Sequence, residues 1–149
     1  MQITSPETKL YAGNHELSIV DEGVRDDIHS WSLIADGTPF DRVRILRYYM
    51  LQAVTDDRFV AIWGGTRLYV IDLEGPCSRP FEHMDDIIAI HVKSRLWYIC
   101  GETSVSLFDP QTGLDISRIE HDEIILRSFF RNDEFWIEDL SGRTLAVKL

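Results

Sequence analysis

Hydrophobic and polar residues alternate in short runs along most of the chain. From Met50 onward, runs rich in Val, Ile, Leu, Phe, Tyr and Trp are separated by turn residues every six to ten positions. Apolar residues at helical spacing are nearly absent. The pattern predicts an antiparallel all-β protein.

One hairpin can be predicted in detail. Residues 58–63 and 67–72 are strand-like, and Gly64, Gly65 and Thr66 lie between them. We expect the two glycines to supply the positive φ that a tight turn requires.

The same pattern returns 37 residues later, at residues 95–109. The shift places Arg58, Ile62, Gly64, Thr66 and Asp72 on identical residues. It extends backward, where residues 31–34 match 68–71, and forward, where residues 86–88 match 123–125 and one added residue near Asn132 restores the pattern. Because the match persists outside the window that suggested it, the chain is predicted to contain repeats.

The clearest repeat contains four strand-like segments, at residues 87–92, 95–100, 104–109 and 114–119. Four antiparallel strands per repeat are typical of a β-propeller blade. We therefore predict three to four blade-like units in one domain, 1–149, in which residues 1–49 are an eroded first repeat and residues 50–149 are blade-like repeats.

The strand ending in Asp109 and the following Pro110-Gln111-Thr112-Gly113 resemble the signature of quinoprotein-like propeller repeats, and the WD-repeat pattern is similar. The resemblance covers roughly residues 50–149. It implies that His83, which precedes the first strand of the repeat, and Asp109, which ends the third, belong to a structural hydrogen-bond network. The Trp-Asp pair of WD repeats is replaced by Ile71-Asp72 and by Phe108-Asp109, and the last repeat has no Asp at this place.

Four repeats permit either a small closed propeller or an open, incomplete arc of blades, since propellers typically have about 4 to 8 blades. An open arc would expose strand edges, through which copies of the chain could oligomerise.

The N-terminal third is less regular. Strands are expected at residues 10–11 and 17–20, and turns at 21–23 and 36–37. Residues 41–52 fit a strand, because Val43 and Ile45 alternate with arginines, or a helix with Val43, Leu46 and Met50 on one face. The repeat favours the strand. Its arginines, Arg42, Arg44 and Arg47, are interpreted as a solvated face that neutralises nearby acids rather than as a phosphate site.

Composition limits the partners. The 149 residues carry 15 Lys and Arg against 25 Asp and Glu, a formal charge of −10. This charge repels nucleic acid and anionic membranes. No apolar run reaches the ~20 residues of a spanning helix and no signal peptide is recognisable, so a cytoplasmic location is expected. Cys77 and Cys100 match no metal or disulfide pattern and are predicted to be free thiols.

The sequence contains no Gly-x-Ser-x-Gly, Walker loop, dinucleotide fingerprint or His-Glu-x-x-His motif, so we predict no enzyme activity, no catalytic residues and no cofactor. One feature leaves an alternative open. Glu82-His83 with Asp85-Asp86 recurs as Glu120-His121 with Asp122-Glu123. Two such clusters could bind a divalent metal, but a role of the histidines in the repeat framework is favoured.

Three tryptophans, Trp63, Trp97 and Trp136, occupy the second strands of successive repeats. Packing between blades is the favoured explanation, and stacking on a sugar or at an interface is the alternative. His91, within an apolar strand, is interpreted as a core histidine with its hydrogen bonds satisfied.

Up-and-down strands place the connections between repeats at the same end as the hairpins between second and third strands. This end is predicted to be acidic and to bind a partner, whereas Lys93 and Arg131 fall at the opposite end. The predicted partner-binding residues are Glu82, Asp85, Asp86, Glu102, Glu120, Asp122 and Glu123. A dense patch of one sign attracts a partner of the opposite sign, so a basic protein is expected.

The sequence therefore favours a non-catalytic protein–protein interaction module, most concretely an immunity protein that binds and neutralises a cognate, basic toxin such as a nuclease. One alternative is a carbohydrate or small-molecule binder assembled by oligomerisation, for which the tryptophans would have to be exposed. A metal-dependent propeller enzyme is the third class, and it would need the histidines and acids to converge.

Overall fold

A computed structural model describes residues 1–149. The chain forms fifteen strands and no helix, arranged in four antiparallel sheets. It has no helix that could span a membrane. The all-β, blade-like prediction is confirmed.

The first two sheets each contain four strands in sequential order. The first sheet is built from β1 (Glu7–Ala12), β2 (His15–Arg25), β3 (Ile28–Ala35) and β4 (Thr38–Leu46). The second is built from β5 (Gln52–Thr55), β6 (Phe59–Gly64), β7 (Arg67–Asp72) and β8 (Cys77–Glu82). Together they belong to a compact unit, Met1–Met84.

The third and fourth sheets belong to a second compact unit, Asp85–Leu149. The third sheet is built from β9 (Ile87–Lys93), β10 (Leu96–Gly101), β11 (Ser104–Asp109) and β12 (Leu114–Glu120). The fourth has three strands, β13 (Ile125–Arg131), β14 (Glu134–Asp139) and β15 (Thr144–Val147).

Each unit has its own apolar core, formed by alternate residues of its strands. In the first unit, Leu17, Ile19, Leu33, Ile62 and Ile71 are fully buried together. In the second unit the core is formed by Cys100, Val105, Ile125, Phe135 and Ile137. Burial of these side chains is the main force that holds the sheets of each unit together.

The four strands predicted for the clearest repeat are those of the third sheet, each within one residue of its observed bounds. Short turns with left-handed residues separate strands at equivalent places, at Ser94-Arg95 and at Asn132-Asp133. Such residue pairs close two-residue hairpins whose twist matches that of the strands.

The added residue of the repeat is Ile116, not one near Asn132. In β12, Asp115 lies opposite Phe108 and Ser117 lies opposite Leu107, so Ile116 is left without a partner as a β-bulge. Because the bulge lies between the two sets of strands, residues of the third sheet correspond to residues of the fourth at a spacing of 38 rather than 37. Ile125, not Ile124, is the equivalent of the buried Ile87.

The turn expected at residues 21–23 is also a bulge. Strand β2 continues through these residues to Arg25, with a register shift between Asp21 and Gly23. The chain reverses at Asp26-Asp27, where both residues have positive φ. Asp and Gly favour bulges as well as turns, so composition alone did not separate the two.

Residues 41–46 form the strand that the repeat favoured, and residues 47–51 connect it to β5. Val43 and Ile45 are buried while the arginines face outward. Arg42 Nε lies 3.1 Å from Glu22 Oε1, and Arg47 Nε lies 3.1 Å from Asp27 Oδ1. These ion pairs support the solvated face rather than the phosphate site.

The two glycines of the predicted hairpin serve different purposes. Gly65 has a φ of +59° and begins the turn, as expected. Gly64 does not have a positive φ, and a Cβ there would overlap the Ile45 side chain. Gly64 therefore allows close packing between the first two sheets.

Candidate functional site

The predicted acidic residues of the second unit lie at one end of its two sheets. Backbone hydrogen bonds tie this end together: Glu102 N donates to Asp86 O at 3.0 Å, Ile125 N donates to Glu102 O at 2.7 Å, and His121 N donates to Thr103 O at 2.8 Å. We call this region the acidic end. Its carboxylates are those of Asp85, Asp86, Glu102, Glu120, Asp122 and Glu123.

Glu82 belongs to the first unit. It ends β8 and accepts a hydrogen bond from Thr66 Oγ1, in the β6–β7 turn, at 3.0 Å. Its place in the second sheet thus corresponds to that of Glu120 in the third.

Lys93 and Arg131 lie at the opposite end of the second unit, as expected. Lys93 Nζ donates to Asp133 O at 2.8 Å, in the β13–β14 turn. Arg131 lies over the rings of Phe129 and Trp136.

Sequence reasoning missed the arginines that neighbour three of the acids. Arg67 forms an ion pair with Glu82. Arg118 Nε lies 2.9 Å from Glu120 Oε1, and Arg143 Nη2 lies 2.6 Å from Asp122 Oδ1. Arg118 and Glu120 are two residues apart on one strand and so lie on the same face. This spacing could have indicated their ion pair.

Asp85 has a structural role in the β10–β11 turn. Its carboxylate accepts hydrogen bonds from Thr103 N at 2.8 Å and from Ser104 Oγ at 2.9 Å. It also fills the space beside Gly101, where a Cβ would overlap it. Asp85 therefore fixes the turn that presents Glu102.

The other carboxylates of the acidic end, those of Asp86, Glu102 and Glu123, form no ion pair. Glu123 Oε1 accepts a hydrogen bond from the backbone of Ile124 at 2.9 Å. No arginine compensates the negative charge of these three groups.

His121 belongs to a network centred on the buried carboxylate of Asp139. Asp139 accepts hydrogen bonds from Ser141 Oγ at 2.6 Å, from His121 Nε2 at 2.8 Å and from Arg143 Nε at 2.9 Å. The Ser141 hydroxyl, helped by His121 and Arg143, holds the pKa of Asp139 well below its usual range against the opposite effect of burial.

This network bears on the metal alternative. Ligand atoms of His121, Asp122 and Asp139 lie within 4.8 Å of one another. The Arg143 guanidinium, however, forms ion pairs with both carboxylates and offsets part of their negative charge. The hydrogen bond from Arg143 also lowers the pKa of Asp122. The arrangement supports a framework role for His121.

The aspartates that end third strands have a local role. Asp109 Oδ1 accepts a hydrogen bond from Gln111 N at 2.9 Å and so closes the β11–β12 turn. In the fourth sheet, the partner of the histidine is Asp139, which ends the second strand rather than the third. The network expected to include His83 and Asp109 stays a prediction.

The aromatic residues support packing roles. Trp63 and Trp97 are buried in second strands, and Trp136 is half-buried. None of the three tryptophans is therefore fully exposed, as a sugar-binding surface would require. His91 Nε2 lies 2.8 Å from Ser128 Oγ, and burial lowers the pKa of His91, as expected of a core histidine.

No family model matches the chain, and no curated protein matches it in sequence. Solved structures do match the fold. The WD40 domain of Neurospora crassa Pan2 has a TM-score of 0.57 and 14% identity, over 90% of this chain and 44% of that one. A HIRA fragment has a TM-score of 0.54 and 9% identity, over 98% of this chain and 51% of that one.

The computationally designed Ika4 protein is similar over nearly all of both chains. Its TM-score is 0.64 at 12% identity, covering 97% of this chain and 92% of Ika4. The chain thus spans about half the length of the HIRA fragment, but most of the designed protein. These likenesses support a small propeller-like fold.

Proposed function

We propose that the chain is a protein-interaction module that binds a basic protein partner at its acidic end. The observation that carries this proposal is the grouping of six carboxylates at one end of the second unit, three of which, those of Asp86, Glu102 and Glu123, form no ion pair. A field of one sign steers an oppositely charged protein to the surface and excludes partners of like charge.

The proposed module is non-catalytic, and the side chains of the Asp139 network support this. The Ser141 hydroxyl donates to Asp139 rather than to His121, so no histidine is placed to activate it. His121 in turn has its Nε2 engaged by the buried carboxylate. The Asp139 carboxylate is within reach of the hydroxyl, but its pKa is held well below its usual range, so it is a poor general base.

The more specific proposal is an inhibitor, such as an immunity protein that neutralises a cognate toxin. Its support is the formal charge of −10, which suits a tight complex with a basic protein. If the toxin is a nuclease, carboxylates of the acidic end would occupy the basic groove that otherwise binds phosphates.

The proposal can be tested by affinity capture from the native cell with the wild-type chain and with the double variant Asp86→Lys/Glu102→Lys. We expect the wild type to retain a basic protein at low salt and to release it as salt rises, because screening shortens the reach of charges to about 8 Å at physiological ionic strength. The variant should retain much less of it. The purified partner should then lose its own activity when one equivalent of the chain is added.

The matched control is Asp115→Lys/Glu134→Lys, which makes the same change of charge at two exposed acids in the β11–β12 and β13–β14 hairpins, at the opposite end of the two sheets. It should bind as the wild type does. Capture of the same protein by the Asp86→Lys/Glu102→Lys variant, or of partners without a basic surface, would contradict the proposal. A partner that is bound but keeps its activity would contradict only the inhibitor function.

A further inference from the structure

Two aliphatic residues occupy places in the fourth sheet that acids occupy in the third. The 38-residue spacing between the third and fourth sheets makes Ile124 equivalent to Asp86 and Leu140 equivalent to Glu102. The backbone confirms the correspondence. Leu140 N donates to Ile124 O at 2.8 Å, just as Glu102 N donates to Asp86 O at 3.0 Å.

Both aliphatic side chains are exposed although neighbouring positions are buried. Ile124 is 44% exposed and Leu140 is 58% exposed, whereas the next residue, Ile125, is 2% exposed. Leu126, two positions after Ile124, is exposed as well. Folding of the fourth sheet therefore does not account for apolar side chains at these places. A group of exposed apolar residues with a polar border is typical of a protein-binding surface.

The border of this aliphatic pair is acidic. Glu102 O accepts the hydrogen bond from Ile125 N at 2.7 Å, which places the Glu102 turn beside Ile124. Glu123 Oε1 accepts a hydrogen bond from Ile124 N at 2.9 Å. Asp86 O accepts one from Glu102 N, so Asp86 also lies at this border. None of these three acids is paired with an arginine. A basic ligand would thus find uncompensated charge directly around an apolar contact.

We propose that Ile124 and Leu140 form the anchor of the acidic end, where they take an apolar side chain of the partner from a segment in which lysine or arginine flanks it. The inference rests on the proposed function and adds to it the contact that holds the complex together. Charge at the rim speeds association and orients the partner. Burial of the apolar side chain between Ile124 and Leu140 slows dissociation.

The test uses a display library of random dodecapeptides selected against the whole chain. We expect the selected peptides to share an apolar residue flanked by Lys or Arg. A synthetic peptide of the consensus should bind the variant Ile124→Thr/Leu140→Gln about 30-fold more weakly, as expected for loss of a hot spot. The loss should be mainly a faster dissociation.

Leu114→Gln is the matched control, since Leu114 is 65% exposed but lies at the opposite end of the third sheet. This variant should bind the peptide as the wild type does. Melting temperatures of both variants should stay close to that of the wild type, because all three substituted residues are exposed. An unchanged melting temperature shows that a variant has lost binding and not folding.

The outcomes distinguish the two proposals. If basic peptides are selected but bind the Ile124→Thr/Leu140→Gln variant unchanged, the anchor is wrong and the acidic end remains the proposed surface. If the selected peptides bind through neither basic nor apolar residues, both proposals fail. A library that yields no binder also counts against both.

Discussion

Asp139 shows how one buried carboxylate organises the end of a sheet. Its oxygens accept hydrogen bonds from two side chains that follow it closely, Ser141 and Arg143, and from His121 of the preceding connection. Burial of a charge is costly unless it is hydrogen-bonded, and these partners satisfy it. Asp139 therefore ties the β14–β15 turn to the connection that carries Asp122 and Glu123.

We expect Asp139→Asn to lower the melting temperature by several degrees, because an amide offers only one acceptor atom to these donors. The pKa of Asp139 is depressed in the folded chain, so its contribution is present above the unfolded value of about 4 and is lost as the pH falls below it. The difference in unfolding free energy between wild type and variant should accordingly shrink below about pH 4.

Thermal unfolding at a series of pH values measures this difference. Ser117→Ala is a suitable control, since Ser117 is half-buried and lies outside the network. A difference that stays constant down to pH 2, well below about 4, would show that Asp139 contributes through shape rather than charge.

The two cysteines differ in accessibility. Cys77 is exposed and Cys100 is buried, and both are free thiols, as the sequence predicted. Burial raises the pKa of the Cys100 thiol to about 12, so the reactive thiolate is nearly absent at neutral pH. In the folded chain without reductant, a thiol reagent should label Cys77 alone, and labelling should reach both residues after denaturation.

Intact-mass measurement counts the labels. The Cys77→Ser variant provides the control and should remain unlabelled until it unfolds. Rapid labelling of Cys100 in the folded chain would contradict its burial in the core of the second unit.

At the scale of elements, most of the architecture could be predicted because turn residues and alternating apolar residues mark each strand. The third sheet, with clear turns at Ser94-Arg95 and after Asp109, was predicted within one residue per strand. Bulges were the main errors, since Ile116 and Asp21–Gly23 change the register without changing the alternation visible in short windows.

The site was predicted less completely for a related reason. Acidic residues in connections are visible from the strand pattern, so the composition of the acidic end could be anticipated. Their partners depend on which residues lie opposite one another, and a one-residue error in register hides these pairs. The pair Arg143–Asp122 and the equivalence of Ile124 with Asp86 become visible only with the register of the fourth sheet.

The bulge in β12 provides a test of that register. Deletion of Ile116 should leave the pairing of β11 and β12 intact on both sides, because this residue has no partner opposite it and is 58% exposed. We expect a cost below about 1 kcal/mol in unfolding free energy, measured by chemical denaturation.

Deletion of Ser106 is the contrasting control. Ser106 is buried and pairs with Ile99 on one side and Arg118 on the other. Its loss shifts β11 by one residue and turns half of its side chains to the wrong face, so a cooperative unfolding transition should be lost. Equal effects of the two deletions would show that Ile116 is not a free insertion in the repeat.

At the scale of the whole molecule, the charge of −10 has a consequence for binding rather than for the fold. Many of the 25 acids are nevertheless paired with a neighbouring cation, as Glu22 is with Arg42 and Glu120 with Arg118. Long-range attraction then depends on groups without such partners, among them Asp86 and Glu102. Their effect should appear in the rate of association.

For a purified basic partner, we expect the association rate to fall steeply with ionic strength while dissociation changes little, because salt screens the approach more than the buried contact. Asp86→Lys/Glu102→Lys should slow association and flatten the salt dependence. Exposed charges contribute only about 0 to 1 kcal/mol to stability, so its melting temperature should hardly change. Stopped-flow mixing at several salt concentrations gives both rates, with Asp115→Lys/Glu134→Lys as the control that makes the same change of charge at the opposite end of the two sheets. If the two variants slowed association equally, net charge alone would attract the partner, and the acidic end would have no special part in steering it.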